Sequence, residues 1–164
     1  MINWLAIKII RPFIQLLDFW APFWNLGARL WISYIFLMAG ISKVTAWQTT
    51  LLLFQYEYHV PLLSPFLAAV FGTAAELILP LLLVIGLGGR IVISIFFIYN
   101  AVCMIAYPFL WTPDGASGLA EHINWAILLG LLMCYGPGRI SLDHIILRWH
   151  IRKTREKIFA SEGL

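Results

Sequence analysis

Four stretches of the chain are long, apolar and carry at most one charged residue each: residues 24–41, 66–86, 91–111 and 119–135. A helix that crosses the hydrocarbon core of a bilayer needs about 20 predominantly apolar residues. Gly88-Gly89-Arg90 separates the second and third stretches, and Gly136-Pro137-Gly138 ends the fourth; glycine and proline both mark turns. The sequence therefore predicts an all-α fold, a polytopic membrane protein built as one four-transmembrane-helix bundle over residues 1–164.

The composition of the chain excludes the other broad classes of protein. Of the 164 residues, 62% are hydrophobic and 12% are charged, and the mean hydropathy is +0.87. Soluble domains have about half their residues apolar and about a quarter charged, so this chain cannot solvate the surface of a soluble globule. Disordered chains have few aromatic residues and a high net charge, whereas 15% of these residues are aromatic.

Both ends of the chain are predicted to form amphipathic helices outside the bundle. In residues 1–20, a polar stripe recurs at helical spacing, formed by Lys8, Arg11, Gln15 and Asp18. Such a stripe is typical of a helix that lies in the headgroup plane. Residues 140–158 have apolar side chains at helical spacing and several basic residues, which predicts a basic amphipathic tail beside anionic lipid.

The distribution of Lys and Arg predicts the orientation of the chain in the membrane. Two of these residues lie in the N-terminal stretch, one in the turn at Arg90 and six from Arg139 onward, whereas Lys43 alone falls at the opposite side. Short loops rich in Lys and Arg remain cytoplasmic. We therefore expect a multi-pass protein of a bacterial-type inner membrane with both termini in the cytoplasm. Because the basic residues crowd toward one end, we expect membrane lipid rather than nucleic acid as their partner.

One carboxylate is predicted to lie deep in the bilayer. At about 1.5 Å of rise per residue, Glu76 lies roughly 15 Å into its span, Asn100 reaches a similar depth, and Arg29 lies roughly 8 Å from the cytoplasmic boundary. A charged group at that depth needs a partner, a proton or water, and Arg29 and Asn100 are the expected partners. Glu76 is then either a proton-handling or ligand-binding carboxylate with a raised pKa, or a polar contact that locks the bundle.

A second polar group is predicted near the extracytoplasmic leaflet, and it includes Lys43, His59 and His122. Histidine exchanges protons near neutral pH, so this group is either part of a site or an interfacial belt whose polar tips meet the headgroups. The two cysteines, Cys103 and Cys134, have no metal-binding spacing, and no metal site is predicted.

Several residues recur in an order that resembles a known family. They are R-L-x5-F-x3-G-x2-K from Arg29 to Lys43, G-x3-E-L from Gly72 to Leu77, and His122 at the start of the last span. In this respect the chain resembles the DoxX/DoxD-like family of small four-helix membrane proteins over about residues 27–138. The family takes its name from a subunit of a thiosulfate:quinone oxidoreductase, and other members are linked to redox maturation, oxidative-stress complexes or methylamine use.

The resemblance implies a membrane subunit or accessory of a redox system, with quinone-linked oxidation of a small anionic or sulfur compound as the expected chemistry. The chain has no flavin, haem or iron–sulfur motif, so electrons are expected to pass through a bound quinone or a partner redox subunit. The alternatives are a non-enzymatic scaffold that docks a partner, and a small-solute transporter that works as a homo-oligomer. The expected catalytic residues are Glu76 and His122, and the expected ligand-binding residues are Arg29, Lys43, Asn100 and His59. In this hypothesis Lys43 attracts negative charge, His122 exchanges protons, and Glu76 with Arg29 forms a polar core below.

Overall fold

The computed structural model describes residues 2–161, with side chains described for Lys8 and for residues 10–156. The described part of the chain is all helical, as predicted. The helices are α1 (Ile2–Thr45), α2 (Trp47–Tyr56), α3 (Pro65–Ile85), α4 (Gly89–Ala106), α5 (Ala116–Tyr135) and α6 (Leu142–Ser161), with a short 3-10 helix at Pro108–Trp111. Residues 1 and 162–164, which the predicted single domain also included, lie outside the described residues.

Three of the described helices, α3, α4 and α5, are long and apolar enough to cross a membrane. Helices α1 and α2 together meet the same criterion, although they are bent by 103° at the break between them. The protein is therefore a helical membrane protein with three spans, or four if the bent pair forms one. Large apolar side chains cover the outside of the bundle, including Ile78, Leu81, Ile98 and Ile105, each more than half exposed, as expected for a lipid-facing surface.

Helix α1 differs from the predicted arrangement of an interfacial helix followed by a separate span. It runs without a break through Pro12 and Pro22, and its 44 residues correspond to a length of about 66 Å. A proline inside a helix removes one hydrogen bond but need not end the helix, and apolar residues continue on both sides of Pro22. Most side chains between residues 8 and 24 are exposed, and their place in the headgroup plane remains a prediction.

The core of the bundle lies between α1, α3, α4 and α5. Its buried residues are Ile32, Phe36, Leu79, Leu83, Ile93, Phe96, Leu129 and Leu132. Helices α1 and α3 approach closely at Gly40, where an added Cβ would lie 3.0 Å from both the Cβ of Glu76 and the Cδ2 of Leu77. Only a residue without a side chain allows the two backbones to come this near.

Helix α2 folds back against the bundle. The Oγ1 of Thr50 donates a hydrogen bond of 3.0 Å to the carbonyl of Lys43, which ties α2 to the last turns of α1. On its other side α2 packs against α3, where Phe54 contacts Ala68 and Ala69. The connector predicted over residues 44–65 therefore contains a helix that packs on the bundle and forms one wall of an internal cavity.

Proline and glycine determine where two of the helices end. Helix α4 ends at Ala106, whereas the span was predicted to reach residue 111, because the residue before Pro108 is forced into an extended conformation (Tyr107 φ −114°, ψ 90°). Helix α3 ends at Ile85 and is capped by Gly86 in the left-handed conformation (φ 66°), which agrees with the predicted span of residues 66–86.

Candidate ligand-binding cavity

A cavity of about 430 Å³ lies between α1, α2, α3, α4 and α5. Its walls are mostly aromatic and aliphatic, and its aromatic side chains are Phe36, Phe54, Phe71, Tyr58, Tyr99, Tyr107 and Trp125. Three of the predicted site residues, Lys43, Glu76 and His122, also line it. Small-molecule sites are typically apolar pockets of about 300–1,000 Å³ with a few polar groups that orient the ligand, and this cavity fits that description.

The ion pair between Lys43 and Glu76 is the main polar feature of the cavity. The Nζ of Lys43 lies 2.5 Å and 2.6 Å from the two carboxylate oxygens of Glu76, and the two side chains are 17% and 6% exposed. The expectation that Arg29 or Asn100 would pair with Glu76 is therefore wrong. It failed because the depth estimate placed Lys43 at the membrane boundary, whereas the long lysine side chain reaches inward and Gly40 brings α1 close to α3.

A tyrosine on α4 completes the contacts of the Glu76 carboxylate. The hydroxyl of Tyr99 lies 3.1 Å from the Oε1 of Glu76 and 3.0 Å from the carbonyl oxygen of Gly72. Its single proton is therefore shared between two acceptors, one of them charged. Gly72 also packs directly against α2, since an added Cβ there would lie 3.1 Å from the Cζ of Phe54.

His122 reaches the cavity from α5, and Asn100 on α4 forms hydrogen bonds with both its ring and its backbone. The Nδ1 of His122 lies 2.8 Å from the Oδ1 of Asn100, and the Nδ2 of Asn100 donates to the carbonyl of His122 at 3.0 Å. Asn100 is fully buried and is not among the residues that line the cavity. It was expected to bind ligand directly, but the structure places it one layer further out, where it can act on a ligand only through His122.

Arg29 lies outside the cavity, at the opposite end of α3. It is fully buried, and its guanidinium donates to the carbonyls of Leu83 at 3.2 Å, Val84 at 3.4 Å and Ile140. Leu83 and Val84 lie in the last turn of α3, where carbonyls have no partner within the regular helix, and the carbonyl of Leu83 also accepts from the backbone N–H of Gly86 at 3.2 Å. Arg29 therefore closes the end of α3 and joins it to the segment before α6, and the predicted core of Arg29 with Glu76 is not formed.

His59 lies beside the cavity rather than in it. It is exposed, and it lines a second cavity of about 360 Å³. Tyr58 lines both cavities and packs edge-to-face against Phe54 and Tyr107, each with ring centroids 4.8 Å apart. Burial, with smaller effects from Tyr107 and Glu76, raises the pKa of Tyr58 to about 12. The phenol of Tyr58 is therefore a neutral hydrogen-bond donor at physiological pH.

Sequence reasoning missed Tyr99, Cys103 and Trp125, all of which line the cavity. Their spacing carried a usable signal, because residues three or four apart lie on one face of a helix. Cys103 follows Tyr99 by four positions on α4, and Trp125 follows His122 by three on α5. In α5 the two rings are in contact, with centroids 4.7 Å apart.

The chemistry available in the cavity is hydrogen bonding and proton exchange. Lys43, Tyr58 and Tyr99 carry donor groups, whereas the carboxylate of Glu76 accepts bonds and His122 can give or take a proton. Within the described residues, no group of three or more His, Cys, Asp and Glu side chains is placed to hold a metal ion.

These observations define a class: a small multi-pass helical membrane protein with an apolar internal cavity and a buried ion pair. The family model that matches the chain is that of DoxX, over residues 24–109, just over half of its length. The chain belongs to the DoxX family, which confirms the resemblance. The match includes Arg29, Lys43, Glu76 and Asn100 and ends before His122. No curated protein and no solved structure matches the chain.

Proposed function

We propose that this protein is the membrane subunit or accessory of a redox system and that its cavity binds the ring of a quinone. The observation that carries the proposal is the placement of the Lys43–Glu76 ion pair and His122 on the wall of one apolar cavity. A quinone ring is flat and apolar, and its two carbonyl oxygens accept hydrogen bonds. Aromatic walls and a few convergent polar groups suit such a ligand.

The polar groups of the cavity support both binding and proton exchange. Two of the three protons of the Lys43 ammonium face the carboxylate oxygens of Glu76, and the third is available to a ligand carbonyl. Tyr58 also lines the cavity, and its phenol is a second group that can donate. A quinone takes up two electrons and two protons on reduction, and Glu76 and His122 are the titratable groups placed to exchange those protons.

In this proposal a partner subunit supplies the electrons by oxidising a small anionic or sulfur compound. The chain itself resides in the inner membrane with both termini in the cytoplasm, as the distribution of Lys and Arg favours. This orientation is tested with single cysteines added at each terminus and a thiol reagent that does not cross the membrane. Labelling of either terminus in intact cells would contradict it.

The experiment that tests the cavity is equilibrium binding of duroquinone to the full-length chain in lipid nanodiscs. We expect saturable binding that Glu76→Gln weakens at least tenfold, because Lys43 then loses the carboxylate that holds its ammonium in place. Glu156→Gln is the matched control, since it removes a carboxylate from an ion pair with Arg152 that lies on the surface of α6. Absence of saturable binding, or equal losses in both variants, would overturn the proposal.

A second candidate function, a scaffold that docks a partner protein, is favoured by the exposed apolar side chains beyond the bundle. On α1 these include Phe13, Phe19 and Trp24, and on α6 they include Ile145 and Trp149. Large exposed apolar surfaces commonly mark sites that bind a protein or a membrane. Truncation before Arg148 separates the two functions. A scaffold loses its partner in pull-down from membranes, whereas the cavity keeps its affinity for duroquinone.

A further inference from the structure

The hydrogen bonds between Asn100 and His122 determine which ring nitrogen of His122 carries a proton. A backbone carbonyl can only accept a hydrogen bond, so the amide nitrogen of Asn100 must face the carbonyl of His122, at 3.0 Å. The amide oxygen then faces the imidazole, 2.8 Å from Nδ1. Because that oxygen can also only accept, Nδ1 must carry the hydrogen. In the neutral ring, Nε2 is therefore unprotonated and presents a lone pair.

The orientation of the His122 ring is fixed as firmly as its tautomer. Asn100 is fully buried and holds both the backbone and the ring of His122. The ring also packs edge-to-face against Phe36 and Trp125, with centroids 6.4 Å and 4.7 Å away. With Nδ1 engaged by Asn100, Nε2 is the nitrogen left for a ligand, and no hydrogen bond to Nε2 is formed within the described residues.

We infer that Asn100 is a positioning residue that holds His122 with Nε2 as an acceptor, and that the cavity therefore prefers ring ligands carrying a hydroxyl group. This inference rests on the proposed function and specifies its ligand as the reduced, hydroquinone form. Lys43 and Tyr58 can donate to the oxygens of either form. Only the hydroquinone can donate in return to Nε2 of His122, so the reduced form gains one hydrogen bond that the quinone lacks.

The first test compares durohydroquinone, kept anaerobic, with duroquinone in the full-length chain in nanodiscs. One additional hydrogen bond corresponds to about tenfold tighter binding of durohydroquinone. In Asn100→Leu we expect this ratio to fall close to one while the affinity for duroquinone changes little. A ratio near one in the wild type, or an unchanged ratio in Asn100→Leu, would overturn the inference.

The second test needs no ligand, and its measurement on the wild type needs no substitution of Asn100. Nitrogen-15 NMR of histidine-labelled protein distinguishes a protonated from an unprotonated ring nitrogen, and His122→Gln identifies the signals of His122. We expect Nδ1 protonated and Nε2 unprotonated in the wild type, and a shift toward the opposite tautomer in Asn100→Leu. A purely structural Asn100 would leave the tautomer unchanged, which would also overturn the inference.

The two tests separate this inference from the proposed function. If both forms bind with equal affinity and Glu76→Gln still weakens binding, the inferred preference for hydroquinone is wrong and the proposal of a quinone-binding cavity stands. Absence of binding by either form removes the proposed function and the ligand preference together, whereas the NMR signals still decide what Asn100 does to His122.

Discussion

The sharpest test of the site is a double-mutant cycle on the buried ion pair, with Lys43→Met, Glu76→Gln and both changes together. The donor–acceptor distances are 2.5 Å and 2.6 Å. At a separation of about 3 Å and an effective dielectric constant of about 20, the attraction between the charges is about 5 kcal/mol. Opposing it is the loss of hydration of both groups, which are only 17% and 6% exposed and which lose several kcal/mol each on burial.

From these magnitudes we expect each single variant to lose about 3–5 kcal/mol of unfolding free energy, because it leaves one charge buried without its partner. The double variant should lose no more than either single variant, since both unfavourable burials are removed with the attraction. The coupling free energy is therefore at least about 3–5 kcal/mol. It is measured by titrating protein in mixed micelles with sodium dodecyl sulfate and following helicity by circular dichroism.

The control is the same cycle on Arg152 and Glu156, whose pair has a comparable contact at 3.0 Å but is 82% and 63% exposed. Solvent screens such pairs strongly, so no measurable coupling is expected there. Additive losses for Lys43 and Glu76, as for independent surface residues, would refute the reasoning that burial makes each charge depend on the other.

Three further outcomes follow from other contacts. Gly40→Ala should lower the unfolding free energy by about 1–3 kcal/mol, since its Cβ would lie 3.0 Å from atoms of α3. Gly27→Ala is the control, because an added Cβ there meets nothing within 4 Å. Equal thermal stability of the two variants would contradict this prediction. Arg29→Met should lower the unfolding free energy by about 1.5–3 kcal/mol. It should also raise the rate of proteolysis after Ile140, whose carbonyl loses its hydrogen-bond donor. An unchanged cleavage rate would contradict this prediction. Truncation before Arg148 should leave duroquinone affinity within twofold, because no described side chain of α6 lines the cavity.

The helical membrane fold could be predicted because its determinants are local. Long apolar runs, the glycines of the turn after α3 and the predominance of helix need no knowledge of neighbouring segments. The end of α4 at Ala106 also has a local cause in Pro108, so it could have been predicted from the restriction that proline imposes on the residue before it. The continuity of α1 through Pro22 could not, because tolerance of a proline depends on what surrounds the helix.

The site could be predicted only in part. Depth along each helix placed Lys43 and His122 toward one leaflet, and the structure brings both to the cavity with Glu76. Depth alone carries no information on which helix faces meet or how far a side chain reaches, so Arg29 was assigned to Glu76 although it closes the far end of α3. The deciding residue was Gly40, whose missing side chain sets the contact between the two helices.

At the junction of α1 and α2, the contact that fixes the backbone and the contact that provides the charge are made by different parts of Lys43. Thr50 donates a hydrogen bond to the main-chain carbonyl of Lys43, while the side chain of Lys43 forms the ion pair with Glu76. The main-chain contact at this corner therefore does not depend on which side chain stands at position 43. If Lys43 and Glu76 were both replaced by neutral residues, no charge would be left buried alone, and a designer would obtain a cavity of similar outline for a ligand of different polarity.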